Sequence, residues 1–309
     1  MMRTPLTRTL LVSVVSFASC LAFPLAAADA PAPPKVLQIY REDVKMGKGA
    51  AHAKVEKGFV AAMAKANWPT HYIAMNAITG PGEAWFLTGY PSFAAWEADR
   101  NATEKNAALT ADMDRLLAQD GELLTGGRSL VAVLRDDLSA GSPVDIAKMR
   151  YFRIITFRVR PGHETDFTES VKIVKGAYEK AKVDLPWAVY QISSGMPGPT
   201  YLIFLPMKSM SEVDAAIARA GTIREAEGPE NEKVLAKMAS DGYATVETNV
   251  FAFSPAMSYP AKEFVARDPE FWTPKAEGKA EAKAAAPAKA AAPAKATAPK
   301  SDAAPATKR

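Results

Sequence analysis

The chain carries one pattern twice. Val36 to Ala66, VLQIYREDVKMGKGAAHAKVEKGFVAAMAKA, can be laid over Tyr151 to Ala181, YFRIITFRVRPGHETDFTESVKIVKGAYEKA, about 115 residues downstream. Both read as a strand, a glycine turn and an amphipathic helix. Further along, Gly80-Pro81-Gly82 followed by Trp85, Phe86 and Leu87 returns as Pro197-Gly198-Pro199 followed by Tyr201, Leu202 and Ile203. Asp120-Gly121 returns as Asp241-Gly242. A period this long predicts one small domain present twice, whereas a solenoid repeats at roughly 20–50 residues.

Each copy reads as strand, helix, strand, strand, helix, strand. Tyr151 to Val159 is rich in β-branched and aromatic residues and stops at Pro161-Gly162, a turn that strands do not cross. Phe167, Val171, Val174, Tyr178 and Ala181 then recur at spacings of three and four, which predicts a helix with one apolar stripe laid on the sheet; Val55, Phe59, Met63 and Ala66 form the matching stripe. Tyr72 to Ala77 and Ala84 to Tyr90, then Trp187 to Ile192 and Thr200 to Leu205, are hairpins joined by Gly- and Pro-rich turns. Ser209 and Glu212 suggest a capping box for a second helix. Leu130 to Arg135 and Thr248 to Phe253 are the closing strands. Both faces of these strands carry apolar residues, so each four-stranded sheet needs a second cover besides its helices. The tandem copy supplies it if the two sheets pack face to face and close into a barrel.

The phrase VRPGHETDF at Val159 to Phe167, and more loosely VKMGKGAAH at Val44 to His52, resembles the strand-to-helix junction of the dimeric α/β-barrel superfamily, which includes antibiotic-biosynthesis-monooxygenase-like, stress-responsive barrel and NIPSNAP-like domains. The resemblance implies two tandem ferredoxin-like βαββαβ repeats of an α+β class, packed as an intramolecular α/β barrel. It also implies a space between sheet and helices that holds substrate or, in some branches, heme. The phrase marks a turn, and no heme-ligand or monooxygenase motif accompanies it.

The ends differ from the body. Residues 1–28 carry Arg3 and Arg8, an apolar run from Leu10 to Leu25 and small residues suited to cleavage, which reads as a secretory signal peptide and predicts a periplasmic or envelope location. The one cysteine, Cys20, lies inside it; a lipoprotein reading would retain that residue. Residues 275–309 are almost entirely Ala, Lys and Pro, a composition that predicts disorder. Seven Lys and one Arg stand there against Glu277, Glu281 and Asp302, so the formal net charge of +4 belongs to the ends and the body is net acidic. Nucleic-acid binding by the folded part gains nothing from that charge. Between the ends the reading places repeats at 29–140 and 141–256 and an aromatic staple at 257–274, with Tyr259, Phe264, Phe271 and Trp272 covering the core.

The candidate ligand-binding residues are Gln38, Tyr40, Trp85, Arg153, Tyr190, Tyr201 and His163. Tyrosine and tryptophan join large apolar surface to a polar handle, and Gln38 and Arg153 hold matching places in the two first strands. His163 could ligate iron or act as a base, the plainer reading being an exposed turn residue; His52 falls on an apolar stripe, at a core edge. No grouping of His, Cys and carboxylates shows metal-ligand spacing, so no metal site is expected. Serine and glycine phrases read as caps and turns. The function expected is non-catalytic: an exported protein binding a small molecule or an envelope partner, with the chain as its own pseudo-dimer. The alternatives are a cofactor-independent monooxygenase, a heme-dependent oxidoreductase, and an envelope interaction protein acting through its basic tail.

Overall fold

A computed structural model describes residues 31–273. The signal-peptide and tail readings fall outside the described residues. The first half runs β1 (Val36–Val44), α1 (Gly49–Lys65), β2 (Tyr72–Ala77), β3 (Glu83–Tyr90), α2 (Phe93–Lys105), α3 (Ala107–Gly121) and β4 (Leu124–Leu134). The second half runs β5 (Tyr151–Val159), α4 (Glu164–Lys180), β6 (Ala188–Ser194), β7 (Thr200–Met207), α5 (Ser211–Glu227), α6 (Pro229–Lys237) and β8 (Tyr243–Phe253). The short helices α7 (Lys262–Val265) and α8 (Pro269–Trp272) complete the described chain. Among the described residues no helix is long and apolar enough to cross a membrane.

The eight strands form one closed antiparallel barrel in the order β1-β3-β2-β8-β5-β7-β6-β4. Each half contributes four neighbouring strands, and the halves join edge to edge: Met75 to Ala77 pair with Phe251 to Phe253 on one seam, and Val131 to Leu134 pair with Tyr190 to Ser194 on the other. The expected barrel is thus present, closed by hydrogen bonding along these two seams. Closing the barrel leaves no free edge, and the inward faces meet across its axis. The interior is apolar: Leu37, Ile39, Leu130, Phe152, Ile154, Leu202, Phe204 and Phe251 are all buried in one cluster.

Strands β4 and β8 are longer than the apolar alternation indicates. Their first halves, Leu124 to Ser129 and Tyr243 to Asn249, are largely polar and exposed, yet they pair with Tyr40 to Val44 of β1 and Ile154 to Val159 of β5. Backbone hydrogen bonding sets their length, and hydropathy is blind to that. At α5 the cap also differs: Glu212 accepts from the Lys208 backbone N–H at 2.7 Å, while Ser209 bonds the Ser211 hydroxyl.

The C-terminal segment closes the barrel. Trp272 is 2 % exposed and packs 4.9 Å from Phe264 and 5.8 Å from Phe253, and its indole N–H donates to the Ala147 carbonyl at 2.6 Å. Arg150 stacks on Phe271 and pairs with Asp268, covering the rim.

The helices coat the outside, but α1 and α4 use their faces differently. On α4, Phe167 and Val171 pack against Val159, Val189 and Tyr201, as the stripe predicts. On α1, Val55, Phe59, Ala62 and Met63 pack against Leu109, Met113 and Leu116 of α3 and against Trp68 and Tyr259. That stripe therefore meets a helix instead of the sheet, and the face of α1 toward β1 carries other residues.

Candidate functional site

Alternation along β1 sends Leu37, Ile39 and Arg41 into the barrel and Gln38, Tyr40 and Glu42 toward the helices. Glu42 sits just before the register shift between Asp43 and Val44, where an irregularity in the ladder re-aims nearby side chains. In the first turn of α1, His52 meets it: His52 Nε2 lies 2.8 Å from Glu42 Oε2. One helical turn later Glu56 Oε1 stands 3.9 Å from the same nitrogen, because residues four apart share a helix face. The end of α3 brings Asp120 Oδ1 to 3.7 Å. One imidazole and three carboxylates, each offering one atom, thus lie with those atoms within 4.8 Å of one another, and all four residues are buried.

The electrostatics follow from that crowding. Burial, then the charges of Glu42 and Asp120, push the Glu56 carboxyl up to about 9. Burial and Glu42 push Asp120 up to about 6, against a downward pull from His52. Tyr72 is raised, first by burial and then by Glu56 and Glu42, and its buried hydroxyl has no hydrogen-bond partner. Tyr40, 42 % exposed, is raised by burial and by Glu42 and Asp120, which places it at the solvent edge of the same field.

At three of these four positions the second half carries hydrocarbon, while Asp120 is matched by Asp241. Phe157 is the seventh residue of β5 as Glu42 is of β1, and Phe167 and Val171 hold on α4 the places of His52 and Glu56 on α1. Phe167 stacks on Tyr201 at 4.1 Å and lies 5.5 Å from Phe157. The barrel thus closes equally well over an apolar set at these positions.

The residues expected to bind ligand do not converge. Trp85 and Tyr190 point into the barrel: the Trp85 indole donates to Glu83 at 2.6 Å beneath the Arg41 guanidinium, and the Tyr190 hydroxyl donates to the Pro34 carbonyl at 2.9 Å. Gln38 and Tyr40 lie outside, under the helices of the first half. Arg153 lies outside in the second half, lining a cavity of 230 Å³ with Phe157, Val174, Tyr178 and Leu205, while Tyr201 stacks beneath α4. His163 is partly exposed at the start of α4, its Nδ1 2.8 Å from Asp166. The expectation that no metal-ligand grouping exists is corrected by Glu42, His52, Glu56 and Asp120. Of these the sequence offered one local signal, the His52-x-x-x-Glu56 spacing on one helix face.

Heme does not fit the described residues. The cavity in the second half is smaller than the roughly 300 Å³ at which ligand pockets begin, and neither histidine nor cysteine lines it. His52 is enclosed by carboxylates.

No protein-family model matches the chain, and no curated protein does. Solved structures do match in outline. An anthrone oxidase-like protein is 14 % identical with a TM-score of 0.49, covering 74 % of this chain and 95 % of its own. A proposed monooxygenase from Fusobacterium nucleatum is 15 % identical with a TM-score of 0.46, covering 72 % and 93 %. A mutant chlorite dismutase from Candidatus Nitrospira defluvii is 8 % identical with a TM-score of 0.42, covering 76 % and 95 %. These are neighbours of the dimeric α/β-barrel kind, in keeping with the closed eight-stranded barrel, and their chemistry stays with them. The expectation of a non-catalytic binder is corrected. The aromatic residues that were to line one pocket are dispersed, and the chain gathers one imidazole and three carboxylates at one buried point.

Proposed function

We propose that the protein is an enzyme whose reaction centre is the Glu42, His52, Glu56 and Asp120 group, acting on a small organic substrate admitted past Tyr40. The observation that carries this reading is the enclosure of three carboxylates around one imidazole, nearly shut off from water. Stability alone does not call for such a group, since buried like charges are costly and are kept where they do chemistry. The element order shared by the halves supports a tandem ferredoxin-like origin, in which one copy kept an apolar filling and the other acquired charge. A centre of this composition acts by accepting a proton from the substrate or by holding a cation that polarises it. Both serve an oxygenase that works without porphyrin. With residues 1–28 read as an export signal, the reaction takes place outside the cytoplasm.

The test does not require a known substrate. Purified protein is incubated with a small-molecule extract under ¹⁸O₂ in D₂O, and products are read by mass spectrometry. Protein-dependent incorporation of either label, lost in Glu42→Gln, is the expected result. Incorporation at the protein-free background, or unchanged in Glu42→Gln, refutes the reading.

A further inference from the structure

We propose that Glu42, His52, Glu56 and Asp120 form a binding site for one divalent first-row transition-metal ion. The inference deepens the proposed reaction centre and rests on the same four residues. Its first support is geometric. Ligand atoms about 2.0–2.2 Å from one ion stand about 3–4.4 Å apart. His52 Nε2 lies 2.8, 3.7 and 3.9 Å from oxygens of Glu42, Asp120 and Glu56, and all four ligand atoms fall within 4.8 Å. A shift of a few tenths of an ångström would bring them onto a common centre.

The second support is independent of spacing. Glu56 Oε1 and Asp120 Oδ1 are buried and accept no hydrogen bond, and the two side chains are 5 % and 2 % exposed. Buried polar atoms in folded proteins are satisfied almost without exception, so two orphaned carboxylate oxygens aimed at one point call for a partner. The ion pairs these three carboxylates make among the described residues all run to His52. A single imidazole cannot balance three carboxylates, and a divalent cation does so to within one charge.

Donor chemistry narrows the ion. The described residues bring oxygen and imidazole nitrogen but no sulfur to this point, which disfavours ions that require thiolate. One imidazole among the donors favours Mn²⁺, Fe²⁺ or Zn²⁺ over Mg²⁺ and Ca²⁺, whose sites are built from oxygen alone.

Untagged protein, stripped with chelator and shown by circular dichroism to be folded, is titrated calorimetrically with Mn²⁺, Zn²⁺ and, anaerobically, Fe²⁺, with Mg²⁺ and Ca²⁺ as comparisons. Co²⁺ serves as an optical probe of the ligand field. One equivalent of at least one transition metal is expected to bind, with at least tenfold weaker binding in Glu56→Gln and in Asp120→Asn; both variants keep shape while removing a charged donor. Absence of stoichiometric binding by wild type overturns the inference, as does binding unchanged in both folded variants. Label incorporation lost in Glu42→Gln without any metal bound also overturns it while the proposed reaction stands. Stoichiometric metal without label incorporation leaves the site standing and refutes the reaction.

Discussion

Replacing Glu56 by glutamine should make the metal-free protein more stable at alkaline pH, although the substitution removes a buried, charged-capable residue. In the unfolded chain Glu56 titrates at 4.5; in the folded chain burial and the nearby Glu42 and Asp120 carboxylates raise it to about 9. Across that window the folded state holds a proton that the unfolded state has released. Stability therefore falls as pH rises from 4.5 to 9 and levels off above. At about 1.4 kcal/mol per pH unit, the roughly four and a half units between the two values give a ceiling of about 6 kcal/mol. Asp120, raised from 3.8 to about 6, adds a loss of the same sign confined to the acid end of the range. Glutamine has the shape of a protonated glutamate and does not titrate. At pH 5 wild type and Glu56→Gln should differ by no more than about 1 kcal/mol, the scale of one exchanged hydrogen bond. By pH 9 the variant should be the more stable by several kcal/mol. Urea melts in chelator at pH 5, 7 and 9 measure this directly. Parallel pH profiles for the two proteins would refute the placement of Glu56 in a crowded carboxylate group.

Removal of the closing aromatic, Trp272→Ala, should cost about 3–5 kcal/mol in urea melts, since it leaves a void beside Phe253 and Phe264 and an unpaired Ala147 carbonyl. Gly195→Ala should cost about 2 kcal/mol or more: Gly195 has φ +91°, and an added Cβ would run into the Ser129 carbonyl oxygen. His163→Ala, by contrast, should change stability by no more than about 0.5 kcal/mol and leave calorimetric metal binding untouched, because the His163 side chain pairs with Asp166 at the surface, away from the four-residue group.

The strand and helix pattern was legible because hydropathy alternates with period two in Tyr151–Val159 and with a helical period from Phe167 onward, and each period reports a buried face. Closure into a barrel was legible from the two apolar strand faces, but the seam pairing was not. It depends on which strands meet at the Met75/Phe253 and Leu134/Tyr190 seams, and hydropathy is silent on pairing partners. The candidate site was hidden for a similar reason. His52 and Glu56 are neighbours on one helix, but Glu42 comes from a strand and Asp120 from the far end of α3, 68 residues beyond His52. Aromatic residues drew attention instead because their burial is visible locally. In this chain that burial serves packing: Trp85 and Tyr190 hold the barrel interior, and Tyr201 holds α4 to its sheet.

The chain nevertheless contains its own control. Where two halves share an order of elements and equal-length first strands and helices, a position that must be polar for folding should be polar in both. Glu42, His52 and Glu56 stand opposite Phe157, Phe167 and Val171, so the fold tolerates an apolar filling there, and the charged set of the first half needs another cause. Exchanging hydrocarbon for two buried carboxylates and an imidazole also runs against stability, as the alkaline weakening of the metal-free chain would show. The asymmetry extends to neighbouring groups. Tyr72, the first residue of β2, buries a hydroxyl with no hydrogen-bond partner among the described residues, whereas Trp187, its match in the repeat alignment, spends its indole N–H on the Leu138 carbonyl. Among the described residues, two buried carboxylate oxygens without a hydrogen-bond partner, of Glu56 and Asp120, stand 3.9 and 3.7 Å from the one imidazole, where Phe167 and Val171 fill the second half. That contrast is what the proposed charge-handling centre predicts for the first half, and packing alone supplies no reason for it.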